Sequence, residues 1–137
     1  MMEKRQRHKS AQGEVELTLL LRAGVLSAVI SGYMDQALGA AILDEAAKLA
    51  GDGLPFCVFL DFTAMTGFDD SVRHMMRRFK AQYGKRLTAH ILTSAQLHTM
   101  LISVGRLMLG ETLVGHTERR LFDAARGKAL VQRSGGR

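Results

Sequence analysis

The amino-acid sequence predicts an α/β fold: a mixed, largely parallel β-sheet of about five strands with about four helices, in the order β-β-α-β-α-β-α-β-α. Three observations predict it. Glu14 to Arg22 alternates apolar and polar residues with a period of two, as a half-buried strand does. Pro55 to Phe62 is almost continuously apolar, as in a strand covered on both faces. From there on, short β-rich runs alternate with helical stripes that begin at capping residues and end at glycines.

Taken in order, Val15, Leu17, Leu19 and Leu21 share the inner face of the first strand. Ala23-Gly24 offers a tight turn, and Val25 to Ser31 returns as the second arm of a hairpin ended by Gly32. Asp35 is placed to cap a helix carrying Leu38, Ala41, Ile42, Ala46 and Leu49, with Glu45 at the margin of the stripe and Gly51-Asp52-Gly53 as its stop. After the apolar strand, Thr63 to Phe68 reads as a loop. Asp69-Asp70-Ser71 then opens a helix with Val72, Met75, Met76, Phe79 and Tyr83 inward and Arg73, Arg77, Arg78 and Lys80 outward, closed by Gly84. Leu87 to Leu92 is the next strand. Ser94 caps a helix bearing Leu97, Met100, Leu101, Val104 and Met108, ended by Gly110. Thr112 to Val114 is a brief strand, and Thr117 caps a last helix with Leu121, Phe122 and Ala125, closed by Gly127.

Composition narrows the function classes. The 137 residues are 47% hydrophobic and 23% charged, enough to bury one core. A single cysteine excludes an internal disulfide and a cysteine-rich metal site. No apolar segment follows the basic start in the manner of a secretory signal, and none is long enough for a membrane span, so a cytoplasmic protein is expected. The net charge of +6 is uneven: residues 1–13 carry +3, residues 126–137 carry +4, and the body between them carries −1. The expected organisation is therefore a basic disordered tail over 1–13, one domain over 14–127 and a basic C-terminal tail over 128–137. With no tryptophan and 6% aromatic residues there is no stacking platform for bases, and no specific nucleic-acid partner is expected.

The chemistry-bearing residues are sparse. None of His8, His74, His90, His98 and His116 falls in a metal-ligand spacing, and no cofactor or metal is implied. Asp70 and His74 stand four apart on one helix face and can pair. Asp70, Ser71 and His74 are triad types, yet they lie on one helical turn, whereas a nucleophile and its base converge from different elements. No enzyme is expected. Cys57 reads as a core thiol, and Met75, Met76, Met100 and Met108 as core filler or as an adaptable contact surface.

Three strings, in this order, resemble the STAS domain family of anti-sigma-factor antagonists and sulfate-transporter tails. Val25 to Asp35, ending Gly32-Tyr33-Met34-Asp35, is similar to the family's strand and Gly-x-Leu-Asp turn. Val58-Phe59-Leu60-Asp61-Phe62 is similar to its central strand with an apolar-Asp-apolar triplet. Phe68-Asp69-Asp70-Ser71 stands where the family has Asp-Ser-Ser/Thr-Gly at a helix start, and Ser94, Leu97 and Leu101 resemble its third helix. The resemblance spans about residues 14–127. It implies a non-enzymatic protein-binding module whose partner is an anti-sigma-factor-like serine kinase or another signalling protein, with a homodimer left open. It also implies that Ser71 is the phosphorylation candidate and that Asp35, Asp69, Asp70, Ser71, Val72 and Arg73 form the partner-binding set. Two departures stand out: Asp70 replaces a hydroxyl residue and Val72 replaces the motif glycine.

The residues themselves support two readings of Ser71. A hydroxyl at a helix N-terminus meets unpaired N–H groups and the positive end of the helix dipole, which favour phosphate. Against this, each neighbouring carboxylate at 4 Å costs ~1 kcal/mol in water and ~4 kcal/mol at an effective dielectric of 20. Equally, Asp-Asp-Ser before an apolar stripe is a good capping cluster that needs no partner. Two further function classes remain open on the same fold: a small-molecule or lipid sensor with an apolar pocket, and a structural subunit of a signalling assembly.

Overall fold

The computed structural model describes residues 3–51, 53–94 and 113–134. They form one six-stranded sheet in the order β1-β2-β3-β4-β5-β6, with helices on both faces. The elements are β1 (Glu3–Lys9), β2 (Gly13–Leu20), β3 (Val25–Met34), α1 (Gln36–Ala50), β4 (Phe56–Phe68), α2 (Asp70–Tyr83), β5 (Leu87–Leu92), β6 (Leu113–His116) and α3 (Arg119–Ser134). β1, β2 and β3 pair antiparallel, and β3 to β6 pair parallel. The predicted α/β class and the mostly parallel sheet are therefore observed. The expected helix after Ser94 lies outside the described residues. No described helix is long and apolar enough to cross a membrane.

Alternation decides which face each strand buries. Val15, Leu17 and Leu19 of β2, Leu26, Ala28 and Ile30 of β3, Val58, Leu60 and Phe62 of β4, and Leu87, Ala89 and Ile91 of β5 all face α1 and α2. Leu38, Ile42, Ala46 and Leu49 of α1 and Val72 and Phe79 of α2 close over them. On the opposite face Val25, Cys57, Phe59 and Leu92 pack against Phe122 and Ala129 of α3. β4 is thus covered on both sides, as its unbroken apolar run requires. The β2–β3 turn is closed by the amides of Ala23 and Gly24 donating to the carbonyls of Leu20 and Leu21, with Gly24 at φ +63°.

Three expectations need correction. The basic stretch expected as a disordered tail is instead the edge strand β1, in register with β2 from Glu3↔Leu20 to Lys9↔Glu14. Two side chains fasten it. Arg7 pairs with Glu16 across the ladder, and the Gln6 amide donates to Glu45 Oε1 at 3.1 Å. Glu45 is not marginal but buried, and Lys48 supplies its second donor at 2.8 Å. Burial pushes the Glu45 carboxyl up, and the bonds from Lys48 and Gln6 outweigh it, so it sits below its ordinary value.

The second correction concerns the C-terminus. α3 does not stop at Gly127, and the segment expected as a basic tail from 128 is helical to Ser134. Ala129 and Leu130 continue the apolar stripe of Phe122 and Ala125 onto the sheet. Their burial outweighs the ~1 kcal/mol that a mid-helix glycine costs. The helix begins at Arg119, so Thr117 stands before its first turn. Third, Thr63 to Phe68 is not a loop. β4 runs on to Phe68 beside β3, with the register slipping between Val29 and Ser31 and again between Gly32 and Tyr33.

Candidate functional site

The ends of β3 and β4 and the starts of α1 and α2 meet at one corner, at the C-terminal edge of the parallel strands. Asp35 Oδ1 accepts from the Leu38 amide at 3.0 Å and caps α1, as its sequence position predicts. Asp69 holds the N-cap position of α2, but its side chain makes no bond to its own helix. It reaches across instead, accepting from the Tyr33 hydroxyl at 2.5 Å on Oδ1 and from the Gln36 amide at 3.2 Å on Oδ2. Both aspartates thus serve the N-terminus of α1. The first turn of α2 has no side-chain cap, only the Val72 amide donating to the Asp69 carbonyl at 3.0 Å.

Tyr33 is the tie that sequence reading missed. Its ring lies against Gly67, where an added Cβ would meet two ring carbons at 3.3 Å. The bond to Asp69, then burial and the charges of Asp69 and Asp35, raise its hydroxyl above the ordinary 10.0. The signal was present only in pieces: Tyr33 stands two residues before one capping Asp, and the other Asp lies 36 residues on.

Within this corner the predicted partner-binding residues part company. Asp35 is spent on capping, and Asp69 on the Tyr33 bridge. Asp70 is exposed and is paired by Arg73 and by His74 at 3.2 Å, so the expected Asp70–His74 pair forms and Arg73 folds onto Asp70. Ser71 is half-buried at the second residue of α2. Val72 is a correction. It is 2% exposed and packs on Gly39 of α1, so it holds the two helices together and presents nothing to a partner.

A second polar cluster lies on the α3 face. Asp61 is 5% exposed. Its Oδ1 accepts from the Thr63 amide at 3.0 Å and the Thr63 hydroxyl at 2.6 Å, and its Oδ2 from Arg119 at 2.7 Å. That backbone fold onto the residue two on is the Asx pattern, and it sits where the β3–β4 register first slips. Burial pushes the Asp61 carboxyl up. The Thr63 hydroxyl, Arg119 and the Thr63 amide together overcome this and leave it below its usual value.

Beside it, His90 Nδ1 and His116 Nε2 lie 3.0 Å apart, with His90 stacked on Phe59 at 4.6 Å between centroids. Their sequence spacing gave no sign of this, because the β5–β6 register brings them together. Burial, and then the neighbouring His116, hold the His90 ring at about 4. The unfolded chain therefore binds a proton near pH 6.5 that the folded chain refuses until about pH 4. The resulting stability is complete above that window and is lost as pH falls through it. With the ring partly exposed, we expect the loss to be about 1–2 kcal/mol. Urea unfolding at either end of the window should show it, and His90→Gln should remove most of it. An unchanged pH dependence in that variant would assign the proton elsewhere.

No group of three or more potential metal ligands occurs among the described residues. Two apolar cavities between α1, α2 and the sheet, sharing Ile42, Leu43, Leu60 and Met76, are about 30 Å³ each. That is room for one water, against the several hundred cubic ångströms of a small-molecule site.

Neither a family model nor a curated protein matches the sequence. Solved structures do. An uncharacterized protein from Shewanella loihica with a SpoIIAA-like fold aligns with a TM-score of 0.58 at 14% identity, over 91% of this chain and 92% of that one. An anti-sigma factor antagonist from Mycobacterium paratuberculosis aligns at 0.52 and 13%, over 90% and 93%. The Bacillus cell fate determinant SpoIIAA in its phosphorylated form aligns at 0.53 and 19%, over 82% and 99%. At such identities the likeness speaks for architecture, and the chain has the SpoIIAA-like, STAS-type fold.

Proposed function

We propose that this chain is a non-enzymatic docking module of the anti-sigma-factor-antagonist type, and that phosphorylation of Ser71 by a partner serine kinase releases it. The docking surface is the exposed end of β4 from Thr63 to Phe68 with the first turn of α2. The observation that carries the reading is the position of Ser71: half-buried at the second residue of a helix whose first turn lacks a side-chain cap, on the SpoIIAA-like fold. Asp69 is already bonded to Tyr33 and Gln36, and Asp70 to Arg73 and His74. Their negative charge is therefore partly compensated before phosphate arrives. A phosphate of about −2 charge would compete with Asp70 for Arg73 and add bulk and charge to the docking edge. The small size of the two apolar cavities gives no support to a ligand sensor.

The test is incubation with the cognate kinase and ATP, followed by mapping of phosphate by mass spectrometry. Phosphate on Ser71 supports the switch, and phosphate elsewhere or none defeats it. Ser71→Ala should retain partner binding and lose less than about 0.5 kcal/mol of stability, since it caps nothing. Ser71→Glu should weaken binding about tenfold, a cost of one to two charge contacts.

A further inference from the structure

From Ser71 to Gly110 the sequence carries seven cations and no carboxylate. Residues 14–70 carry nine acids and two bases, so the nearly neutral body is two opposite halves. The structure gathers six of those cations at α2 and its exit: Arg73, Arg77, Arg78, Lys80, Lys85 and Arg86, of which Arg86 donates to the Ala50 carbonyl. Arg73, Arg77, Arg78 and Lys85 are exposed and Lys80 is half-buried. Asp70, at the helix start, pairs with Arg73 and His74. Among the described residues no carboxylate pairs with Arg77, Arg78, Lys80 or Lys85.

The other basic regions differ. On β1, Arg5 pairs with Glu3 and Arg7 with Glu16. On α3, Arg119 pairs with Asp61, Arg120 with Glu118 and Arg126 with Asp123. The basic ends are thus partly compensated, at Arg5, Arg7 and Arg126, and α2 and its exit carry a further run of cations that the net charge hides.

We propose that the outward face of α2 is the binding surface for an acidic protein partner. Arg73 and Arg77 at i, i+4 and Arg77 and Lys80 at i, i+3 repel one another, a cost that Asp70 offsets at Arg73 and that no described carboxylate offsets at Arg77 or Lys80. An acidic partner surface removes it. The row extends about 10 Å from the first turn of α2, roughly one Debye length at physiological salt, so its charges act together. A basic amphipathic helix suits an anionic membrane only if its apolar face can enter the lipid. Here Val72 and Phe79 are buried, and Met76 and Tyr83 pack against the same core. The inference rests on the docking reading and names the chemistry of the partner. Phosphate at Ser71 would then act twice, by occupying Arg73 and by facing an acidic surface.

The test uses the full chain and a fluorescein-labelled, Glu-rich helical peptide, read by anisotropy at low and physiological salt. Arg77→Gln/Arg78→Gln/Lys80→Gln should weaken binding at least about tenfold, the sum of three exposed charge contacts. A control of equal net charge, Lys9→Gln/Arg120→Gln/Lys128→Gln, should change it less than about twofold. Equal losses in the two variants would overturn the assignment to α2. Tighter, α2-dependent binding to phosphatidylserine–phosphatidylcholine vesicles or to duplex RNA would overturn the partner class. The assay involves no phosphate. A chain that binds through α2 yet never gains phosphate on Ser71 keeps this inference and loses the switch, and the opposite pair of results does the reverse.

Discussion

Gly32→Ala is expected to destabilise the fold by roughly 2–5 kcal/mol and to loosen the docking corner at the same time. Gly32 lies inside β3 at φ +78°, a conformation that costs an L-residue with a side chain about 1–2 kcal/mol. An added Cβ would stand 2.4 Å from the Gln12 carbonyl oxygen, backbone that cannot rotate away. Overpacking of this kind costs about 1–3 kcal/mol more. The next residue is Tyr33, whose amide donates to that same Gln12 carbonyl and whose hydroxyl holds Asp69. Shifting residue 32 therefore moves the tie between the two helix starts. Urea unfolding should report the loss of stability. A spectrophotometric tyrosine titration should show the Tyr33 hydroxyl falling back toward its ordinary 10.0. Wild-type stability in this variant would show that the chain does not need glycine there, and that the turn is not what aims Tyr33.

The same region shows what a sequence can and cannot convey. Asp35 was legible as a cap because a cap is local: an acid, then an apolar residue three positions on whose amide it meets. β4 was legible as doubly buried because every residue from Phe56 to Leu60 is apolar. β1 was not. Its residues Glu3 to Lys9 have no apolar face, and its strand state comes from the β2 ladder, the Arg7–Glu16 pair and the Gln6–Glu45 hydrogen bond. Asp69 belongs by sequence to the capping cluster of its own helix, yet its carboxylate accepts from the Tyr33 hydroxyl and from the Gln36 amide at the start of α1, contacts that lie 36 and 33 residues away along the chain. The His90–His116 contact depends on the register of two parallel strands, a long-range property that local pattern does not encode.

Charge shows the same division at another scale. Net charge placed the basicity at the two ends, which is arithmetically true of the sequence. In the structure three of those end cations, Arg5, Arg7 and Arg126, pair with acids, while Arg77, Arg78 and Lys85 are exposed with no carboxylate partner among the described residues. Which charges matter to a partner is therefore set by pairing, and pairing follows from topology.

Arg119→Ala is the second large effect, expected to cost about 3 kcal/mol. Asp61 makes three of the bonds in its cluster and Arg119 only one, so counting contacts would rank the aspartate as the more costly loss. Burial reverses the order. The Arg119 side chain is 56% exposed and the Asp61 side chain 7%. A stranded guanidinium turns into water, whereas a stranded carboxylate stays buried with only Thr63 to satisfy it, and breaking a buried pair in that direction is the expensive one. Asp61→Asn should accordingly cost less, about 1 kcal/mol, because the retained carbonyl still accepts from Thr63. Adding Arg119→Ala to Asp61→Asn should then change little, which a double-mutant cycle by urea unfolding would measure. The pH signature separates this account from simple loss of packing. Asp61 is held below its ordinary value, so its contribution is present at neutral pH and is lost as pH falls through its folded value. The cost of Arg119→Ala should shrink in acid, where the carboxyl is neutral in both chains. A cost that stays constant down to acid pH would mean that Arg119 secures α3 by its aliphatic stem, with the charge on Asp61 a bystander.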